Sequence, residues 1–243
     1  TALIACPSFT DLTTILDSAQ RNLSANLTRF EIMDDDYYRA QTQPGGHPAP
    51  LVGNYSWYAL VEITGFRPLD DRSQFEIWLE SLLTSGNAAD IVLAGNHKQR
   101  ESLWVIRENF DRAIAAKPFF LYDVSLPVSA MADYLAALRQ AIHRQWPVAI
   151  MYTLGHMADG NLHFFISPRC DGSEKELKLQ ADEWVYGELT AFSGSVSAEH
   201  GIGIDKKKWL HRSRSAEEIR LMKTIKVLMD PHNLLNPGRI FDL

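Results

Sequence analysis

The chain has 243 residues, 46% of them hydrophobic and 22% charged, with a formal net charge of −6, enough to bury a sizeable core as one large or two small domains. No stretch of about 18 apolar residues suggests a membrane span, no signal peptide is visible, and the acidic balance argues against nucleic acid as a partner. Cys6 and Cys170 are isolated and form no disulfide framework, so a reducing, cytoplasmic setting is the default.

Thr1–Pro7 is short, apolar and β-like, and a chain that opens on Thr1 already in a strand suggests a piece of a longer protein or a chain with its start removed. Ser8 or Thr10 caps a helix with the stripe Leu12, Ile15, Leu16, Ala19 and Leu23. Phe30–Met33 reads as a strand running into Asp34, Asp35 and Asp36, an acidic run expected to be a solvated edge rather than a cation site. Residues 42–56 hold too many prolines and glycines for a regular element. Trp57–Thr64 is strand-like, a helix follows through Phe75, Trp78, Leu79, Leu82 and Leu83, and Asp90–Ala94 is a short strand.

Residues 101–116 read as a helix with Leu103, Ile106, Arg107, Phe110 and Ile114 on one stripe. An arginine there is costly unless an anion meets it. Arg107 therefore either snorkels at the stripe's edge or clamps a carboxylate, whose geometry its planar fork matches. Phe119–Val124 is a strand, Ser129 caps a helix through Met131, Tyr134, Leu135, Leu138 and Ile142, and Val148–Leu154 is apolar and β-like. Strands mixed with helices, with a tight hairpin to follow, indicate an α+β sheet with helices on one face.

That hairpin is Gly155-His156-Met157-Ala158-Asp159-Gly160-Asn161-Leu162-His163, leading into Phe164–Ile166. With Asp159-Gly160 as a two-residue turn, Ala158 faces Asn161, Met157 faces Leu162 and His156 faces His163. Opposed Cβ atoms lie roughly 4.5–5.5 Å apart, so two imidazoles could share one ion at about 2.0–2.1 Å from each nitrogen. Residues 174–192 form an amphipathic helix, and residues 194–203 a Gly/Ser-rich loop carrying Glu199 and His200. Glycines 194, 201 and 203 let that backbone approach closely or take positive φ. Lys206–Lys208 read as a solvated face or a surface for another domain, and Glu217–Met229 is a last helix.

His156, His163 and Glu199 make a two-histidine, one-carboxylate set with open positions, a catalytic rather than a structural pattern. Adjacent side chains diverge, so His200 falls beside the ion, where an unperturbed pKa near about 6.5 suits proton transfer.

These stretches resemble a known family. Gly155–His163 is similar to the G-H-x-G-D-G-N-L-H motif of the C-terminal domain of FAD-linked oxidases. Ser197–Gly203 is similar to that family's S-x-E-H-G-I-G, and Asn236–Ile240 to its closing N-P-G-K-I; Phe30–Asp34 resembles a further landmark. Among the relatives are D-lactate, glycolate and D-2-hydroxyglutarate dehydrogenases. The resemblance implies a ferredoxin-like antiparallel or mixed sheet with added C-terminal helices over residues 1–243, closing on FAD held by a separate N-terminal domain of the same protein. It implies that His156, His163 and Glu199 bind a divalent zinc, manganese or iron ion, that Arg107 pairs the carboxylate of a small 2-hydroxy acid, that Asn161 orients the turn or touches substrate or flavin, and that His200 takes the hydroxyl proton as hydride leaves C2. Asn236 and Arg239 would touch the cofactor. A separate electron acceptor is implied, and a homodimer is compatible.

Three positions depart from the family. Ala158 replaces a glycine, a mild change if it lies outside the turn. Leu121 stands where relatives selective for a second carboxylate carry a lysine, and Phe165 where they carry an asparagine. Both changes favour a monocarboxylate substrate. Two readings compete: a flavin-independent metallohydrolase, which would turn over an ester or amide with metal alone, and a non-catalytic ligand-binding domain, in which His156→Ala and His200→Ala would change no activity.

Overall fold

The apolar start of the chain becomes β1 (Ala2–Cys6), buried on both sides, with Ala2, Ile4 and Cys6 facing one core and Leu3 and Ala5 another. In the computed structural model, which describes residues 1–243, it lies in a seven-stranded sheet of order β4-β1-β3-β2-β6-β7-β5. The other strands are β2 (Leu27–Asp34), β3 (Trp57–Ile63), β4 (Asp90–Leu93), β5 (Phe120–Ser125), β6 (Ile150–His156) and β7 (Asn161–Ser167). Every pairing is antiparallel. The α+β expectation holds.

One face is covered by α1 (Phe9–Leu23), α3 (Pro68–Ser85), α5 (Val128–Gln145) and α6 (Glu174–Gly187), whose apolar stripes share the larger core. Ser8 accepts the amide of Asp11 at the start of α1, and all five expected stripe residues are buried. The opposite face carries α2 (Asp35–Thr42) and α4 (His97–Glu108), which the expectation of helices on one face did not include. The added C-terminal helix is α7 (Ala216–Met229), opened by a Ser215/Glu218 capping box.

Several boundaries move for local reasons. Asp34 is no solvated edge: it is buried, caps α2 by accepting the Tyr37 amide, and also accepts from the Thr153 amide and Arg139. The 101–116 helix starts earlier, at an Asn96 cap, and stops at Glu108; Phe110 and Ile114 lie in irregular chain yet still pack on the sheet. Pro127, not Ser129, precedes α5. The 174–192 helix ends at Gly187 and passes into a 3-10 turn, Leu189–Phe192. Leu83 is 46% exposed and leaves its stripe.

Glu62 of β3 latches α4 to the sheet, accepting hydrogen bonds from Arg100 Nε (2.7 Å), Trp104 Nε1 (2.9 Å) and Thr1 Oγ1 (2.6 Å). Burial alone would raise its pKa; these donors outweigh burial and hold it at about 2, below the ordinary 4.5. A depressed carboxylate pKa stabilises the fold above the unfolded value, and that contribution is lost as pH falls through the folded one. Glu62→Gln should therefore lower Tm by roughly 4–8 °C near neutrality. The gap from wild type should close between about pH 4.5 and about pH 2. Thermal melts across that range check it, and a gap that does not depend on pH would refute it.

Candidate active site

On the face carrying α4, one row of side chains runs across four strands: Glu31 (β2), His156 (β6), His163 (β7) and Asp123 (β5). The hairpin joining β6 and β7 differs from the two-residue turn. Met157–Asp159 form a 3-10 turn closed by Gly160 at φ 74°, and Leu154, not His156, is the partner of His163. The register slips by two residues, and because strand side chains alternate with period two, His156 keeps its face. The histidines are diagonal neighbours with ring centroids 5.3 Å apart. Ala158 lies inside the turn, in a helical conformation that alanine tolerates. Gly155 is required by packing: a Cβ there would lie 2.2 Å from the Asn161 carbonyl oxygen.

His156 Nδ1 faces Glu31 at 2.8 Å, while Nε2 points at Glu199, 3.4 Å from Oε1. The Glu31 hydrogen bond raises the pKa of His156. Burial, with Arg107 and His156 nearby, lowers that of His163 to about 4 and keeps it neutral, as a metal ligand must be. Glu199 is fixed by Asn161, whose Nδ2 donates to Oε1 at 2.6 Å. One ligand atom from each of His156, His163 and Glu199 lies within 4.8 Å of the others. Two imidazole nitrogens and one carboxylate at that spacing fit a divalent ion with open positions.

The loop bearing Glu199 and His200 is tied down by Asp123, which is fully buried. Its Oδ2 accepts the amides of Ala198 (3.2 Å), Glu199 (3.1 Å) and His200 (3.0 Å), the Ser197 hydroxyl (3.1 Å) and Lys206 Nζ (3.3 Å). Burial would raise this carboxyl, but the amides of His200 and Glu199 and the Lys206 charge bring it to about 2. Lys206 is thus an internal partner rather than part of a solvated run. His200 is half exposed, its ring stacked 6.0 Å from that of His163, and lies outside the group formed by His156, His163 and Glu199.

Arg107 is buried, so it does not snorkel; Nη2 donates to Glu31 Oε2 at 3.0 Å and Nε has no partner. It shares a cavity of about 430 Å³ with His156, His163, Glu199 and His200. Trp104, Phe110, Phe119, Leu121 and Phe165 form the cavity's apolar wall. Leu121 and Phe165 are direct partners across β5 and β7, and Phe110 stacks on Phe165 at 5.3 Å. Arg29 at the rim lies over Trp104, with Glu108 3.9 Å away. Asn236 and Arg239 are exposed outside this cavity, in a C-terminal segment pinned to the loop by the Ile240 amide donating to the Gly203 carbonyl.

Glu31, Asp123 and Lys206 did not emerge from the sequence as site residues. The available signal was a lone carboxylate inside each of two apolar strand runs, Phe30–Met33 and Phe119–Val124, since a charge there needs a partner.

Residues 1–240 match the family described as FAD linked oxidases, C-terminal domain. The chain is 34% identical over 241 residues to a mitochondrial D-2-hydroxyglutarate dehydrogenase of Arabidopsis thaliana, covering 98% of this chain and 42% of that protein. It is 32% identical over 243 residues to a D-2-hydroxyglutarate dehydrogenase of Xanthomonas citri pv. viticola, covering 99% and 51%. To a putative mitochondrial D-lactate dehydrogenase of Schizosaccharomyces pombe it is 31% identical over 246 residues, covering 97% and 46%. The chain spans about half the length of these relatives. Among solved structures, p-cresol methylhydroxylase with substrate bound matches with TM-score 0.66 and 13% identity, over 99% of this chain and 52% of that one, a likeness of fold alone. No helix is long and apolar enough to cross a membrane.

Proposed function

This chain belongs to the FAD-linked oxidase C-terminal domain family, and we propose that it is the substrate- and metal-binding half of a flavin-dependent dehydrogenase of D-2-hydroxy acids. The observation that carries this reading is the convergence of His156, His163 and Glu199 on one wall of a cavity shared with Arg107 and His200. A divalent ion held by those three residues would supply Lewis acidity to the substrate's hydroxyl and carboxylate oxygens. FAD, bound mainly by a domain outside these residues, would supply the acceptor for the C2 hydride.

The chain's own groups do the rest. Arg107 keeps Nη2 on Glu31 and turns the remainder of its fork to the substrate carboxylate. His200, half exposed beside the ligand set, takes the hydroxyl proton, so the 2-hydroxy acid leaves as a 2-oxo acid. Asn161 acts through Glu199, and Asn236 and Arg239, in the segment pinned to Gly203, would contribute contacts to the flavin. The two free cysteines suit a reducing compartment, the cytosol included. An electron acceptor must reoxidise the flavin.

The substrate is a monocarboxylate. A distal carboxylate would meet Leu121, Phe165 and Phe110 rather than a cation, and Arg29 at the rim is already flanked by Glu108. An unpaired charge against apolar wall is costly, whereas an apolar tail gains about 25 cal/mol per Å² buried. In the intact flavoprotein, lactate-like or phenyl-substituted 2-hydroxy acids should exceed 2-hydroxyglutarate in kcat/KM by about 10-fold or more. The double variant Leu121→Lys/Phe165→Asn should reverse the order. A wild type that prefers 2-hydroxyglutarate would overturn this assignment.

A further inference from the structure

Glu31 belongs to neither the ligand set nor the expected substrate contacts, yet it touches both. Its side chain is only 6% exposed and meets His156 on one side and Arg107 on the other. Glu31 and His156 are also direct register partners across β2 and β6, so backbone pairing, not a flexible loop, sets their approach. We propose that Glu31 is the positioning residue of this site: it holds the proton of His156 on Nδ1, leaving Nε2 bare towards Glu199, and fixes Arg107 relative to that ligand.

A buried carboxylate only accepts, so a neutral His156 facing Glu31 at 2.8 Å must donate from Nδ1. The other nitrogen then carries a lone pair on the side where His163 and Glu199 converge. A histidine without such a partner favours the proton on Nε2, which would block that lone pair. The same carboxylate balances the Arg107 charge, which would otherwise repel a cation in the ligand set. Carboxylates that orient metal-bound histidines in this way typically contribute 10–100-fold to metal affinity.

The test uses the purified 243-residue chain and zinc as the probe. It rests in part on the metal reading above, so it has two arms. In the metal-free chain, in alkaline buffer where imidazoles are neutral, nitrogen NMR should show His156 protonated on Nδ1. Zinc titration against a chromophoric chelator should then show affinity about 10-fold weaker in Glu31→Gln, whose amide sets a donor against Arg107 or His156, and up to about 100-fold weaker in Glu31→Ala. If Glu31→Ala does not fold, Glu31→Gln and the wild-type tautomer decide. A wild type that binds no zinc would count against the metal assignment while the tautomer arm still judges Glu31. His156 protonated on Nε2, or zinc affinity within about twofold of wild type in the variants, would overturn the proposal.

Discussion

Replacing Asp123 with alanine is expected to unfasten the loop that carries Glu199 and His200. The lost carboxylate accepts three consecutive backbone amides, a hydroxyl and the Lys206 ammonium, all from a fully buried position. Removing one partner from a buried charged network costs about 3–5 kcal/mol, or roughly 10 °C in Tm for a chain of this size. The loss should reach the proposed ligand set as well, because Asp123 holds the backbone that presents Glu199. Zinc affinity and Tm should therefore fall together in Asp123→Ala and fall less in Asp123→Asn, which keeps one acceptor of the same shape. Melting and zinc titration of the three proteins check this; unchanged affinity in a folded Asp123→Ala chain would show that the loop is held by something else.

The second large effect belongs to His200. It stands beside the ligand set without being a member, so His200→Ala should leave zinc affinity within about twofold. On the proposed function, and in a flavoprotein that includes a flavin-binding domain, the variant should reduce flavin with a 2-hydroxy acid about 10²–10⁴-fold more slowly, the usual contribution of a positioned general base. His163→Ala should lose both properties. This split between binding and rate separates a base from a ligand, and wild-type flavin reduction by His200→Ala would remove His200 from the mechanism.

The sequence made much of this legible where function depends on local pattern. The stripe Leu12 to Leu23 became α1, and the grouping of His156, His163 and Glu199 was foreshadowed by two histidines flanking a Gly-containing turn and one glutamate in a glycine-rich loop. The hairpin register differs from the two-residue turn because Gly160 closes a 3-10 turn, and the histidines keep their face because the difference is two residues, not one. A one-residue slip would have sent His156 to the other core. Charges resolved by distant partners stayed hidden. Asp34 reads as one of three surface acids until Thr153 and Arg139 meet it from strands and helices far along the chain. Arg107 announced a buried cation by its place in an apolar stripe, but nothing local named Glu31, 76 residues away, as its partner. The extra helix α2 was missed for the same reason, since its cap is a residue that looked solvated.

We propose that two strand histidines and a loop glutamate form one metal site. Its most direct test is to strip the purified chain with a chelator, dialyse it and titrate it with zinc. The claim predicts a single high-affinity site per chain, weakened by about 100-fold or more in His163→Ala. A wild-type chain that binds no divalent ion, or a His163→Ala chain that binds it equally well, would contradict it.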